Sequence, residues 1–318
     1  MKKERLPHHF EFDLVRVTEA AALTASPFVG RDDKKGADQA AVDAMRRVLN
    51  SMEMSGVVVI GEGEKDEAPM LFNGEKLGTG SLPEVDLAVD PVDGTTPCAK
   101  GRENSIATIA MAPRGTMYDP GPFVYMNKIA VGPECVGVID IEKSAADNLK
   151  AISKALDKEL KELVVVVLDR PRHEELVSQI RKVGARVRLI LDGDVMGAFL
   201  TAWPGSGVDV LMGVGGSPEG VLAACALRGL GGEFQGKPYP RNEDEKRRGH
   251  ELGYDFNAVL THHDLVSSND VIFSATGITD GAILQGVEQA GDAASTHSIV
   301  VHGASSKVRE VITTHLAE

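Results

Sequence analysis

From about residue 140 onward the chain alternates short apolar runs with amphipathic stretches of helix length, and this limits it to an architecture in which helices cover a sheet. Residues 163–168, 186–191 and 208–211 have strand length, and residues 174–183 and 195–202 between them have helical spacing. A helix after Ser217 and strands near residues 271–273 and 298–301 are expected to extend this α/β layer to the C-terminus. The first part of the chain has another texture. Residues 11–25 and 37–52 place apolar side chains at helical intervals, Leu14, Val17 and Ala21 in one, Ala41, Met45, Val48 and Met52 in the other. Residues 56–60 and 85–89 read as short buried strands, each running into an acidic turn. The expectation is a protein of two domains, residues 1–140 and 141–318. Pro, Gly and mixed charge crowd residues 237–253, which read as a solvated loop.

A chain of 318 residues with 42% hydrophobic content can bury a sizeable core. Its 34 Lys and Arg against 47 Asp and Glu, a net charge of −13, disfavour nucleic acid as a partner. The basic start Met1 to Arg5 is not followed by an apolar segment, so no export signal is read. The longest apolar runs fall short of the roughly 20 residues a membrane span needs. Cys98, Cys135 and Cys225 are odd in number and widely spaced, which indicates neither a disulfide framework nor a zinc site and fits a reducing cytoplasm. The histidines, including His8, His9, His262 and His263, show no metal-ligand spacing and are expected on the surface or in loops.

The segment Asp90-Pro91-Val92-Asp93-Gly94-Thr95 carries the clearest chemistry. A strand ending at a proline would set two carboxylates and a hydroxyl side by side. Carboxylates held so close repel one another unless a cation sits between them, and Mg²⁺ or Mn²⁺ would remove that penalty. Taken alone, the segment is equally a surface Asp-Gly turn. A second acidic cluster, Gly61-Glu62-Gly63-Glu64-Lys65-Asp66-Glu67, follows another strand, and a third acid, Asp38, shares the apolar stripe of its helix. A charged hairpin tip and a helix-capping Asp are the plainer readings of these two.

In the second half, Gly215-Gly216-Ser217-Pro218-Glu219 reads as a helix start after a glycine turn, with Ser217 as N-cap, where free backbone N–H groups suit a phosphate. Asp169-Arg170-Pro171-Arg172 and Asp192-Gly193-Asp194 follow strands of the same layer, at strand C-termini where α/β sheets bind ligands. The arginines would grip a phosphate and the Asp pair would accept bonds from sugar hydroxyls. Each is also an ordinary turn. There is no His-Glu-x-x-His, no Gly-x-Ser-x-Gly and no Walker A loop, and Cys98 is too close to Arg102 for a cysteine-phosphatase loop, so it reads as a packed side chain.

In order along the chain, these blocks resemble the class II fructose-1,6-bisphosphatases and, through Asp-Pro-x-Asp-Gly-Thr, the wider lithium-sensitive phosphatases that include the inositol monophosphatases. The likeness also covers Tyr125-Met126-Asn127-Lys128 and the segment from Ile272 to Thr279. It implies a layered αβαβα sandwich of the sugar phosphatase type. It further implies metal ligands at Asp38, Glu62, Asp90, Asp93 and Glu219, with Asp38, Glu62 and Thr95 poising the attacking water. Asp93, Gly94, Thr95, Tyr125, Arg170, Pro171, Arg172, Asp192, Gly193, Asp194 and Gly216 would hold the substrate. Asp93 stands where many class II members have Glu, and Arg170 where some have Lys. The reaction implied is hydrolysis of the 1-phosphate of fructose 1,6-bisphosphate, with sedoheptulose 1,7-bisphosphate as a second candidate. An inositol monophosphatase-like enzyme and a non-catalytic phosphosugar-binding regulator are the alternatives. The expected partners are a phosphorylated sugar and further copies of the chain, with no nucleic acid and no membrane.

Overall fold

Leu14, Val17 and Ala21 recur at helical intervals, and helix α1 (Phe10–Ala25) buries all three completely. The fold comes from a computed structural model that describes residues 5–61, 71–121 and 123–316. Helix α2 (Lys34–Leu49) begins where the Asp33 carboxylate accepts the Gly36 N–H at 2.8 Å, and it turns Ala37, Ala41 and Met45 inward. Strands β1 (Ser55–Ile60), β2 (Lys76–Leu77) and β3 (Glu84–Asp93), the short helix α3 (Thr95–Ala99) and strand β4 (Ile106–Pro113) follow. Both long helices pack on Val58, Leu87, Val89, Ile109 and Met111, which form one core.

The next stretch builds a second sheet. It comprises β5 (Tyr125–Val131), α4 (Ala145–Ala155), β6 (Val164–Leu168), α5 (Glu174–Lys182), β7 (Arg186–Ile190), α6 (Asp194–Thr201) and β8 (Val210–Gly216). Helix α7 (Ser217–Leu230), β9 (Glu233–Pro238), α8 (Glu243–Glu251), β10 (Leu260–Thr261) and α9 (His262–Leu265) complete it. The strand order is β10-β9-β5-β8-β6-β7, with β6 parallel to β7 and β8 and the remaining pairs antiparallel. Side chains alternate across a strand. Val165, Val167, Val210 and Met212 therefore face Leu149 and Ile152 of α4 and Ile180 of α5. Val166 and Leu211 face the other way, so close to α6 that a Cβ on Gly197 would lie 3.2 and 2.9 Å from them. This unit is an α/β/α layering, and the chain as a whole is of the expected α/β class.

The chain then returns to the first sheet with β11 (Ile272–Gly277), β12 (Glu288–Ala290), β13 (Ala293–His302) and β14 (Lys307–His315). The order there is β12-β13-β11-β4-β3-β1-β2, with β14 on β13. The strands expected near residues 271–273 and 298–301 exist, but they do not extend the second layer: β11 pairs with β4, Ile272 opposite Met111 and Ser274 opposite Ile109. The compact units are accordingly Met1–Met117 with Ser268–Glu318, and Tyr118–Ser267, a division that differs from a cut near residue 140. The segment read as a loop over residues 237–253 contains the end of β9 and all of α8. Asn242 caps α8 by accepting the Glu245 N–H at 2.8 Å.

Candidate active site

In the first unit the carboxylate turn lies at the end of β3. Pairing with β4 does not stop at Pro91, as a proline would suggest. The register shifts between Asp90 and Asp93 and resumes with Asp93 opposite Ile106. Val92 N–H donates to Asp90 Oδ1 at 3.1 Å and Thr108 Oγ1 to the Asp90 carbonyl at 3.3 Å, which fixes the turn. Asp90 and Asp93 are buried at 9% and 4% exposure. Gly94 then takes φ +93 as the residue before α3, a conformation that costs a side-chain-bearing residue energy, and a Cβ there would meet the Asn104 carbonyl at 3.1 Å. Thr95 opens α3, half-buried.

Asp38 is on the second turn of α2, and Asp33 does the capping, so the plainer reading of Asp38 as a cap is corrected. Its Oδ1 is buried with no hydrogen-bond donor among the described residues. Burial pushes its carboxyl up to about 6, against the pull of Lys34. Lys34 Nζ donates to Thr96 Oγ1 at 2.7 Å, which ties the start of α2 to the start of α3. Burial, with the Asp38 carboxylate nearby, raises the Cys98 thiol to about 11, so Cys98 is a packed side chain and no nucleophile at neutral pH. Glu62 and its acidic neighbours to Glu67 lie outside the described residues.

In the second unit, Asp194 is the first residue of α6, behind Gly193 with its left-handed backbone, and its Oδ2 accepts from Lys128 Nζ at 2.7 Å. Both side chains are nearly inaccessible, at 2% and 7% exposure. Helix α7 begins at Ser217 with Gly216 as its N-cap, one residue earlier than the sequence suggested. The Glu219 side chain folds back over that cap, and a Cβ on Gly216 would lie 1.8 Å from Glu219 Oε2, so a larger residue there would displace the Glu219 carboxylate. Glu219 Oε2 is buried without a donor among the described residues. Burial raises its carboxyl; Lys128 opposes the rise, and Asp194 and Asp192 add to it.

The arginine turn follows β6. Arg170 pairs with Asp192. Arg172 donates through Nε and Nη2 to the Val214 carbonyl at 3.1 and 2.7 Å, and its guanidinium lies 5.2 Å from the centre of the Tyr125 ring. Pro171 begins the single turn that carries both arginines into α5. His173 holds that turn down: its ring bonds the Leu168 carbonyl through Nδ1 at 2.7 Å and accepts the Val214 N–H at Nε2, 2.8 Å. This bonding demands the neutral imidazole protonated at Nδ1, consistent with a pKa that burial lowers.

Three residues of this unit escape sequence reasoning. Lys128 is the buried cation of Asp194; its signal was a lone charge inside a strand pattern, which cannot be buried unpaired. Arg241 places a second guanidinium 5.6 Å from the Tyr125 ring centre, in the segment read as loop. His173 is buried at 3% exposure, and His302 at 2%, which corrects the expectation of surface or loop histidines.

Asp38 in the first unit, and separately Glu219 in the second, buries a carboxylate oxygen with no donor among the described residues, a costly arrangement that oxygen coordination of a hard divalent cation such as Mg²⁺ or Mn²⁺ would relieve. Carboxylates ending a strand before an N-terminal helix turn, in a chain that also offers guanidiniums at strand ends, define a phosphoester hydrolase of the layered α/β kind. Residues 8–315 match the family described as bacterial fructose-1,6-bisphosphatase, glpX-encoded, and the chain belongs to that family. It is 44% identical over 313 residues to the class 2 fructose-1,6-bisphosphatase 1 of Escherichia coli K12, covering 94% of this chain and 93% of that one. The class 2 fructose-1,6-bisphosphatase of Shigella flexneri matches to the same extent. Among the described residues, no helix is long and apolar enough to cross a membrane.

Proposed function

We propose that the protein hydrolyses the 1-phosphate of fructose 1,6-bisphosphate, in the presence of Mg²⁺ or Mn²⁺, to fructose 6-phosphate and inorganic phosphate. The observation that carries the substrate is the arginine turn: Arg170 and Arg172, with Tyr125 beneath Arg172, offer a cradle for a second phosphate that a monophosphatase does not need. Asp192 and Asp194 accept hydrogen bonds from the sugar hydroxyls, and Gly216 brings backbone close to the substrate.

Asp38, Glu62, Asp90, Asp93 and Glu219 would hold the cation. When bound, it favours ionisation of the attacking water and offsets charge that builds on the phosphoryl oxygens. Asp38 or Glu62, bonded through Thr95, would orient the attacking water and assist removal of its proton. The new P–O bond forms in line with the P–O bond to sugar O1 that breaks, and O1 leaves with a proton taken up from solvent. The three cysteines are free and buried, and a reducing cytoplasm is the proposed compartment.

The test is phosphate release from fructose 1,6-bisphosphate, sedoheptulose 1,7-bisphosphate and inositol 1-phosphate, each with and without Mg²⁺ and Mn²⁺. Metal-dependent release from a bisphosphate and little from inositol 1-phosphate is expected. Equal release from inositol 1-phosphate would remove the role given to the arginines, and no release from any of the three would make the protein a binder.

A further inference from the structure

A different set of metal-type ligands is assembled in the first unit, away from the strand-end carboxylates in sequence and unlike them in chemistry. His8 precedes α1, Glu11 lies in its first turn and His302 ends β13; one ligand atom from each is within 4.8 Å of the other two. Glu11 Oε1 is 2.7 Å from His302 Nδ1 and 3.5 Å from His8 Nδ1. Glu11 and His302 are both 2% exposed, whereas His8 is 82% exposed and free to adjust.

The partners behind these ligands select which atoms face inward. His302 Nε2 is bonded to Asp270 Oδ1 at 3.0 Å, and Asp270 Oδ2 is held by the Leu6 N–H at 2.6 Å. Arg309 holds Glu11 Oε2. His302 Nδ1 and Glu11 Oε1 are thus the atoms turned toward His8. An imidazole whose remote nitrogen donates to a carboxylate is the usual support of a metal-ligating histidine.

We propose that His8, Glu11 and His302 form a binding site for one Zn²⁺-type cation, independent of the cation used in hydrolysis. Two imidazoles and one carboxylate suit zinc and its transition-metal neighbours, and they do not suit Mg²⁺, which asks for oxygen and water. Tetrahedral zinc with bonds of about 2.0–2.1 Å sets its ligand atoms about 3.3 Å apart. The 3.5 Å pair already meets that spacing. The 2.7 Å pair opens when the proton between His302 Nδ1 and Glu11 Oε1 passes to solvent and the cation takes its place. Water fills the fourth position. The bound ion clasps the start of α1 to the end of β13, so binding stabilises the first unit.

The experiment titrates Zn²⁺ calorimetrically into the full chain, stripped with EDTA and kept in excess Mg²⁺ to occupy oxygen-ligand sites, beside His8→Ala. One equivalent is expected to bind to the unaltered protein, and at least tenfold more weakly to His8→Ala, whose basal hydrolysis is unchanged because the lost side chain is exposed. Zn²⁺ should raise the unfolding temperature of the unaltered protein and not that of His8→Ala. Absence of Zn²⁺ binding, or equal affinity in the two proteins, overturns the site.

Discussion

The two units meet the same problem, acidic side chains gathered at strand ends, and answer it differently. In the second unit two of the acids come with resident cations: Asp194 with Lys128, Asp192 with Arg170. In the first unit Asp38 has the partial pull of Lys34, whose ammonium bonds Thr96, and an oxygen of Asp38 is buried with no donor among the described residues, a condition that Glu219 shares in the second unit. A carboxylate neutralised within the fold can be fixed in place to receive a sugar. One left uncompensated costs stability in the empty protein and gains most from an added cation. The difference separates acids that the fold already neutralises, Asp192 and Asp194, from acids such as Asp38 and Glu219 that would gain most from a metal.

The largest effect is expected of Asp90→Asn. If the first unit's acids serve chemistry, kcat should fall by about a thousandfold or more, on the scale of losing a main element of charge stabilisation, with the circular dichroism spectrum unchanged. Retention of activity would end the assignment. Lys128→Met tests the other side. Removing the cation leaves Asp194 with a buried uncompensated charge, and the urea midpoint should drop by the equivalent of about 3–5 kcal/mol; a loss of activity without any loss of stability would contradict a structural pairing. Arg172→Ala is expected to act on KM for the bisphosphate, raising it about tenfold to a hundredfold, the scale of one charge-assisted contact, while kcat changes little. An effect on kcat alone would move Arg172 to the chemical side of the comparison.

The smallest effect expected is one of pH. Burial, then His263 and Arg228, lower the His262 imidazole from 6.5 to about 4. The folded state therefore holds fewer protons here than the unfolded chain between those values. The stability that the neutral ring contributes is complete above 6.5 and is lost as pH falls toward about 4. Urea midpoints at pH 7 and pH 5 should differ less in His262→Gln than in the unaltered protein.

Features encoded within a few residues were legible in the sequence. The periodicity of α1, the apolar run of β6 and the turn at Asp90 to Thr95 are local patterns, and each appears in place. Asn242 with Glu245 three residues on was also a local helix-start signature, and the charge around it obscured α8. Features made by distant pairing were not legible. Asp194 lies 66 residues from Lys128, and His302 lies 291 from Glu11, so no window of sequence contains both partners. The return of β11 to β4 is of the same kind, because an apolar strand states that it is buried without stating in which sheet.

That return has a consequence for how the chain acquires its shape during synthesis. The second unit is continuous from Tyr118 to Ser267, so all of its strands are available while residues 268–318 have yet to be made. The first unit must wait: until β11 arrives, β4 has β3 on one side and an open edge on the other. The first unit is thus begun first and finished last, and the second can close while the first still has an open edge.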